Sequence, residues 1–245
     1  MTRLLRAEIL KLRTTRTVWG LLIATVALTG AAVAGAVIVA DNAGTALESD
    51  EGVRLVLHVS GAGAVLVLVL GIIMTAGEYR QGTATDTFLT TPDRWQVLGA
   101  KLVAAAGVGA LFGVLSAGVA LLVATHMYQL KGYTIPLDAS GAGSILLGAV
   151  FYASLFGALG AALGSLVRNQ IGAIVGCLAW LFVAEQIVLG IAPSFGRYLP
   201  AAAGRALVRD PAGSLLTQPA AGLVLALYAV VIMAAGIYVE RRRDA

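Results

Sequence analysis

Charge is what this sequence has least of. Only 12% of its 245 residues are Asp, Glu, Lys or Arg, about half the share usual in a water-soluble domain. Against that, 59% are hydrophobic and the mean hydropathy is +0.89. A soluble fold of this length could not hide so much apolar surface, so composition excludes that class and points to an integral membrane protein. Cysteine is nearly absent. The single Cys177 lies in an apolar run, which excludes an internal disulfide and suits inert packing. Histidine is scarce too. His58 and His126 have no partner at metal-ligand spacing, and one cysteine cannot complete a thiolate site. No glycine is followed by lysine, so a phosphate-cradling loop with its lysine is missing. Any ATP hydrolysis must come from another chain.

What is present is long and apolar. A membrane-spanning helix needs about 20 residues, and six segments qualify: Val18–Ala40, Leu55–Ala76, Leu98–Thr125, Ser144–Val167, Ile171–Ile191 and Ala220–Val239. The expected fold class is therefore an all-α membrane protein with six transmembrane helices in one domain, 1–245. The third segment is the longest and should tilt or project from the membrane. The fourth and fifth are joined by Arg168-Asn169-Gln170 alone and form a tight antiparallel hairpin. The first run is 23 residues long, beyond the apolar core of a signal peptide, which favours an uncleaved anchor.

Six spans place both termini on one side. Twelve of the 17 basic residues fall in the segments on that side, and five (Arg54, Lys131, Arg197, Arg205 and Arg209) on the other. By the positive-inside rule the richer side is cytoplasmic. The expected localisation is a bacterial-type cell membrane, multi-pass, with both termini cytoplasmic. Surrounding lipid is expected as a partner, and nucleic acid is not.

Residues 1–17 include RLLRAEILKLRTTR, with Leu5, Ile9 and Leu12 on one helical side and Arg6 and Arg13 on another. This pattern describes an amphipathic helix lying on the membrane surface; the alternative is an unstructured stop-transfer cluster. The outer segment 192–219 is too short for a domain and too apolar for a plain loop. Short helices dipping into the outer leaflet fit it, as does an interfacial loop. Within the fifth span, Glu185 lies 14 residues from Ile171, about 21 Å along the helix. Such an acid either lines a pathway or makes a structural hydrogen bond to a neighbouring helix or to 192–219. The pairs Gly109/Gly113, Gly160/Gly164 and Gly172/Gly176 suit close helix packing within one chain, with a dimer interface as the alternative. Ser116 and Ser154 sit in spans, but nothing ties either to an activating base, so an intramembrane hydrolase has little behind it.

The polar stretch GEYRQGTATDTFLTTPDRW, 77–95, interrupts the apolar pattern on the cytoplasmic side. Thr91-Pro92-Asp93 is a helix-start signal, after which Trp95 meets the interface and Lys101 snorkels. Phe88 and Leu89 stand exposed among polar residues. A cytoplasmic protein docked on them would account for this; a plain connecting turn is the alternative.

The stretch Gly77–Leu102 resembles the second-to-third-span loop of ABC-2-type permeases, the membrane subunits of a class of ATP-binding-cassette transporters. The likeness is carried by Gly77-Glu78-Tyr79-Arg80, Gly82-Thr83, Thr87-Phe88-Leu89, Pro92, Arg94 and Ala100-Lys101-Leu102. Ala7-Glu8-Ile9-Leu10-Lys11-Leu12-Arg13 is similar to that family's amphipathic connecting helix, and Gly164-Ser165-Leu166-Val167-Arg168-Asn169-Gln170 to its hairpin turn. The resemblance implies a permease subunit of an ATP-driven exporter, with no ATPase site of its own. It implies that 77–95 forms a coupling helix docked on a separate ATPase subunit, which holds the ATP and magnesium. It implies two permease protomers, identical or similar, with two ATPases, and re-entrant helices before the sixth span. The coupling residues would be Glu78, Arg80, Thr87, Phe88, Leu89 and Arg94. Two other readings stay open: a non-transporting scaffold or sensor tied to an ATPase, and an intramembrane enzyme.

Overall fold

A computed structural model describes residues 2–82, 94–137, 141–167, 169–211 and 215–242. These residues build helices throughout. Helix α1 (Thr2–Thr14) runs into α2 (Arg16–Asn42) through Thr15. Next come α3 (Asp50–Leu57), a 3₁₀ turn at His58–Gly61 and α4 (Ala64–Gln81). Helices α5 (Arg94–Leu130) and α6 (Ala142–Leu166) follow. Then α7 (Gln170–Ala179), a π turn (Trp180–Ala184) and α8 (Glu185–Ile191) make one nearly continuous rod. Two short helices, α9 (Pro193–Gly196) and α10 (Pro200–Leu207), precede α11 (Gln218–Arg242).

Six helical stretches are long and apolar enough to cross a membrane: Arg16–Asn42, Asp50–Arg80, Trp95–Leu130, Ala142–Leu166, Gln170–Ile191 and Gln218–Val239. Each overlaps one expected span, and the ends agree to within about five residues. The chain is thus a multi-pass membrane protein by its helices. The 37 residues of α5 extend over about 55 Å, well beyond a hydrocarbon core of about 30 Å, as the length of that segment suggested.

Helix α6 is the hub, packed against α4, α5 and α11. Some 67% of its most apolar stretch is buried, against 11% for the fifth span. The reason lies in residue size. Lipid tails are as apolar as leucine, so helices in a bilayer gain most from close backbone approach between small residues. A Cβ at Gly160 would stand 2.1 Å from the Leu68 carbonyl oxygen, and one at Gly71 would stand 2.3 Å from that of Gly157. Only glycine permits this crossing. Gly109 and Gly113 press on the α6 backbone at Ala153 and Val150 in the same way, so these two glycine pairs do pack within the chain. The third does not: Gly172 meets only the Asn169 cap of its own helix and Gly176 has no neighbour within 4 Å. Both line an apolar cavity beside the fifth span.

The first and third segments between spans are tied to each other. Lys131 pairs with Asp41 at 2.5 Å, the Glu48 carboxylate accepts from the Thr134 N–H at 3.2 Å, and the Tyr128 hydroxyl donates to the Leu47 carbonyl at 2.9 Å. At the opposite end, Leu98 of α5, Ala162 of α6 and Met233 and Ile237 of α11 form a second small core.

Candidate functional site

The chain has one buried ionic cluster among its described residues, and it sits where the polar stretch 77–95 leaves the bundle. Helix α4 ends at Gly82. Its left-handed conformation (φ +72) lets its N–H return to the carbonyls of Glu78 and Tyr79, a termination that suits glycine. One turn earlier, Glu78 points toward α1 and α5. Lys101, two turns into α5, reaches the same spot.

Four charges close into a ring there. Lys101 Nζ lies 2.5 Å from Glu78 Oε1 and 3.1 Å from Glu8 Oε1. Lys11 Nζ lies 2.8 Å from Glu78 Oε1 and 3.2 Å from Glu8 Oε1. Signs alternate around the ring and the net charge is zero. The Lys101 side chain is 2% exposed, those of Glu8 and Glu78 9% and 13%, and that of Lys11 52%. An ammonium as deeply buried as Lys101 would cost several kcal/mol if alone; two carboxylates at hydrogen-bond distance offset that cost. For Lys11, partial burial works to lower the pKa, and the Glu78 and Glu8 carboxylates outweigh it and raise the pKa. Its positive charge therefore persists at neutral pH and is lost only above the ordinary lysine range.

The ring corrects two local expectations. Lys101 does not snorkel to the interface; it is buried because Glu8 and Glu78 meet it inside. The inward face of α1 is Leu5, Glu8 and Leu12, while Ile9 and Leu10 stay 48% and 63% exposed. Helical spacing groups Ile9 with the leucines, but the partner that draws Glu8 inward lies 93 residues away. Glu8, Lys11 and Lys101 were therefore missed as site residues, although each falls within a stretch already singled out for family likeness. No local pattern signals their meeting.

Of the expected coupling residues, Glu78 lies in the ring and Arg80 is exposed on the last turn of α4. Arg94 opens α5. Thr87, Phe88 and Leu89 lie outside the described residues, as do most of 77–95, the Thr91-Pro92-Asp93 start signal and Arg168.

Glu185 is built differently. It is fully buried, and its Oε2 accepts from the Ala201 N–H at 2.8 Å. Its Oε1 has no hydrogen-bond partner and no cation lies at ion-pair distance among the described residues. Helix α10 needs this acceptor. Its N-cap, Leu199, has no side-chain oxygen to offer, and Pro200 in its first turn has no N–H. Ala201 therefore supplies the first free donor, and Glu185 acts as a cap delivered from another helix. The π turn assists the aim. Its wider winding keeps Leu181 and Glu185 on the inward side with Ala173, while Phe182, Val183 and Ile187 face out. Helix α10 packs on α11 and α6, and a Cβ on its Gly204 would strike the Tyr152 ring at 2.1 Å. Tyr152 lies ten residues, about 15 Å, inside the start of α6.

Among the described residues, no three His, Cys, Asp or Glu side chains gather as a metal site requires. Comparison with protein-family models and with curated proteins finds no match in either.

Proposed function

We propose that the chain is the permease subunit of an ATP-driven exporter, moved by a separate cytoplasmic ATPase that grips the 77–95 loop. One observation supports this reading above the others. The stretches resembling the connecting helix and the coupling loop of ABC-2-type permeases lie far apart in sequence, yet they meet in the four-charge ring. Glu78 and Lys101 are the roots of the loop; Glu8 and Lys11 belong to α1. A push on the loop therefore reaches three helices together, because separating any pair would expose an unpaired buried charge. From α4 and α5 the displacement passes to the hub helix α6 through glycine contacts that cannot slip without backbone collision.

In this reading α1 rests on the cytoplasmic surface with Ile9 and Leu10 toward lipid. Both termini are cytoplasmic, in a bacterial-type cell membrane. The α9–α10 pair re-enters from the outer side with Glu185 as its anchor. The transporter would hold two such subunits, identical or similar, and two ATPases carrying ATP and magnesium.

The test is a detergent pull-down of the tagged chain from its native cell, with mass identification of partners, repeated with Phe88→Asp. The expected result is a nucleotide-hydrolysing subunit captured by the wild type and lost from the variant. Equal capture by both would overturn the docking assignment, and transport by the purified chain alone would overturn the function.

A further inference from the structure

A second site lies at the end of the molecule remote from the ring. A cavity of about 470 Å³ is lined by Arg54, Arg209, Asp210, Thr217 and Gln218 among others. Arg54 comes from α3 and is exposed, with no acidic partner among the described residues. Arg209 is held firmly. Its backbone is left-handed (φ 53), the one such non-glycine residue among those described. Its Nε donates to Gln218 Oε1 at 3.2 Å, while Gln218 Nε2 donates to the carbonyls of Ser144 (2.9 Å) and Leu207 (2.6 Å). Gly141 leaves room for the guanidinium, since a Cβ there would stand 2.8 Å from Arg209 Nη1. Asp210, the one acid lining the cavity among the described residues, has a second arginine near it: Arg205 Nε is 4.0 Å away. The cavity thus carries an excess of positive charge on planar, phosphate-matching groups.

Gln218 and Pro219 also line a second space, an apolar groove of about 630 Å³ between α6 and α11. It follows α6 from Ser144 to Leu155, about 16 Å. That is the depth of a single leaflet, half of a hydrocarbon core about 30 Å thick. Its walls include Leu147, Phe151 and Leu223, which are 62%, 58% and 72% exposed. A polar, cationic chamber and an apolar slot one leaflet long therefore share Gln218 and Pro219 in their walls.

We infer that these two spaces form one binding site for an anionic phospholipid, its phosphate headgroup between Arg54 and Arg209 and an acyl chain along the α6–α11 groove. The charge selects the headgroup, and the length of the groove selects a lipid over a free anion. Three of the five basic residues on this side of the chain (Arg54, Arg205 and Arg209) gather here, on the side where basic residues are otherwise sparse. The inference stands apart from the permease reading, because it concerns binding alone.

The test uses a single tryptophan as reporter. Trp19, Trp95 and Trp180 are replaced by Phe, and Phe151→Trp is added. The protein is reconstituted in phosphatidylcholine vesicles containing brominated phosphatidylglycerol or, in parallel, brominated phosphatidylcholine at equal mole fraction. Bromine quenches tryptophan on contact. The expected result is preferential quenching by phosphatidylglycerol, by about fivefold in relative affinity for each arginine. Arg54→Gln should remove about one such factor and Arg54→Gln with Arg209→Gln both. A Leu122→Trp reporter, on an exposed face of α5, should show no preference. Arg54 is exposed and has no acidic partner among the described residues, so Arg54→Gln and Arg54→Glu carry the test alone if the Arg209 variant does not fold. Equal quenching by both lipids, or a preference undiminished by Arg54→Gln, would overturn the site. Loss of the preference on adding soluble glycerol phosphate would overturn the assignment to a lipid. No ATPase is needed, so failure of the permease reading leaves this result untouched.

Discussion

The two ends of this molecule bury carboxylates in opposite ways. Near the polar loop, Glu8 and Glu78 are neutralised by Lys11 and Lys101 in a closed ring. At the far end, Glu185 meets a backbone N–H and no cation within ion-pair distance among the described residues. The difference is one of what can be exchanged without loss. A ring of full charges holds only while every member stays, because removing one strands its opposite in a medium of low polarity. A backbone donor at a helix start asks only for an oxygen, charged or neutral. The first arrangement is a rigid joint between three helices. The second is a cap that tolerates change at the carboxylate, which suits a segment packed against the bundle by small residues.

That contrast can be broken most forcefully at Lys101. Lys101→Met should destabilise the folded chain by about 3–5 kcal/mol, the usual cost of removing one partner of a buried pair, read as a lowered midpoint in denaturant titration in detergent. Adding Glu8→Gln and Glu78→Gln should recover a large part of the loss, since the stranded charges go with it. A triple variant no better than the single would mean that packing, and not charge, sets the cost. At the other end, Glu185→Leu should cost about 1–2 kcal/mol, in the range of a lost helix cap. Faster amide hydrogen exchange at Ala201 would localise that loss to α10. Glu185→Gln keeps an oxygen for Ala201 and should cost less than about 1 kcal/mol. If Glu185 also serves transport, this variant should alter substrate-stimulated ATP turnover in the assembled transporter while assembly stays normal; wild-type turnover would leave it a cap alone. The smallest effect belongs to the exposed Lys131–Asp41 pair. Lys131→Ala should change stability by less than about 1 kcal/mol, and high salt should erase even that difference.

The six spans were legible because span recognition needs only length and apolar content, both local properties. The helix before the first span was legible from its periodic pattern, and short helices after the fifth were one of the two readings that the apolar content of 192–219 allowed. The candidate site was legible in part. Glu78 and Arg80 were named, but the loop's meaning came from family resemblance, and Thr87, Phe88 and Leu89 lie outside the described residues. The ring was illegible. Lys101 near a span end reads as a snorkelling lysine until two carboxylates from other helices are placed beside it. Glu185 was flagged by its chemistry, and one of its two readings, a structural hydrogen bond to 192–219, is the contact seen with Ala201; that the donor is a main-chain N–H is something no side-chain pattern announces.

Sequence alone, then, determined that this chain has six segments long and apolar enough to cross a membrane and about where each lies, because hydropathy and helix length are summed along the chain. Tertiary structure alone decided which charges are buried and against what. Glu8, Glu78 and Lys101 are separated by 70 and 23 residues, and the electrostatic energy that makes their burial tolerable depends on distance in space. It also decided that α6 is the hub, since close helix contact depends on glycines of α4 and α5 meeting the α6 backbone, and glycines of α6 meeting theirs, at the same depth.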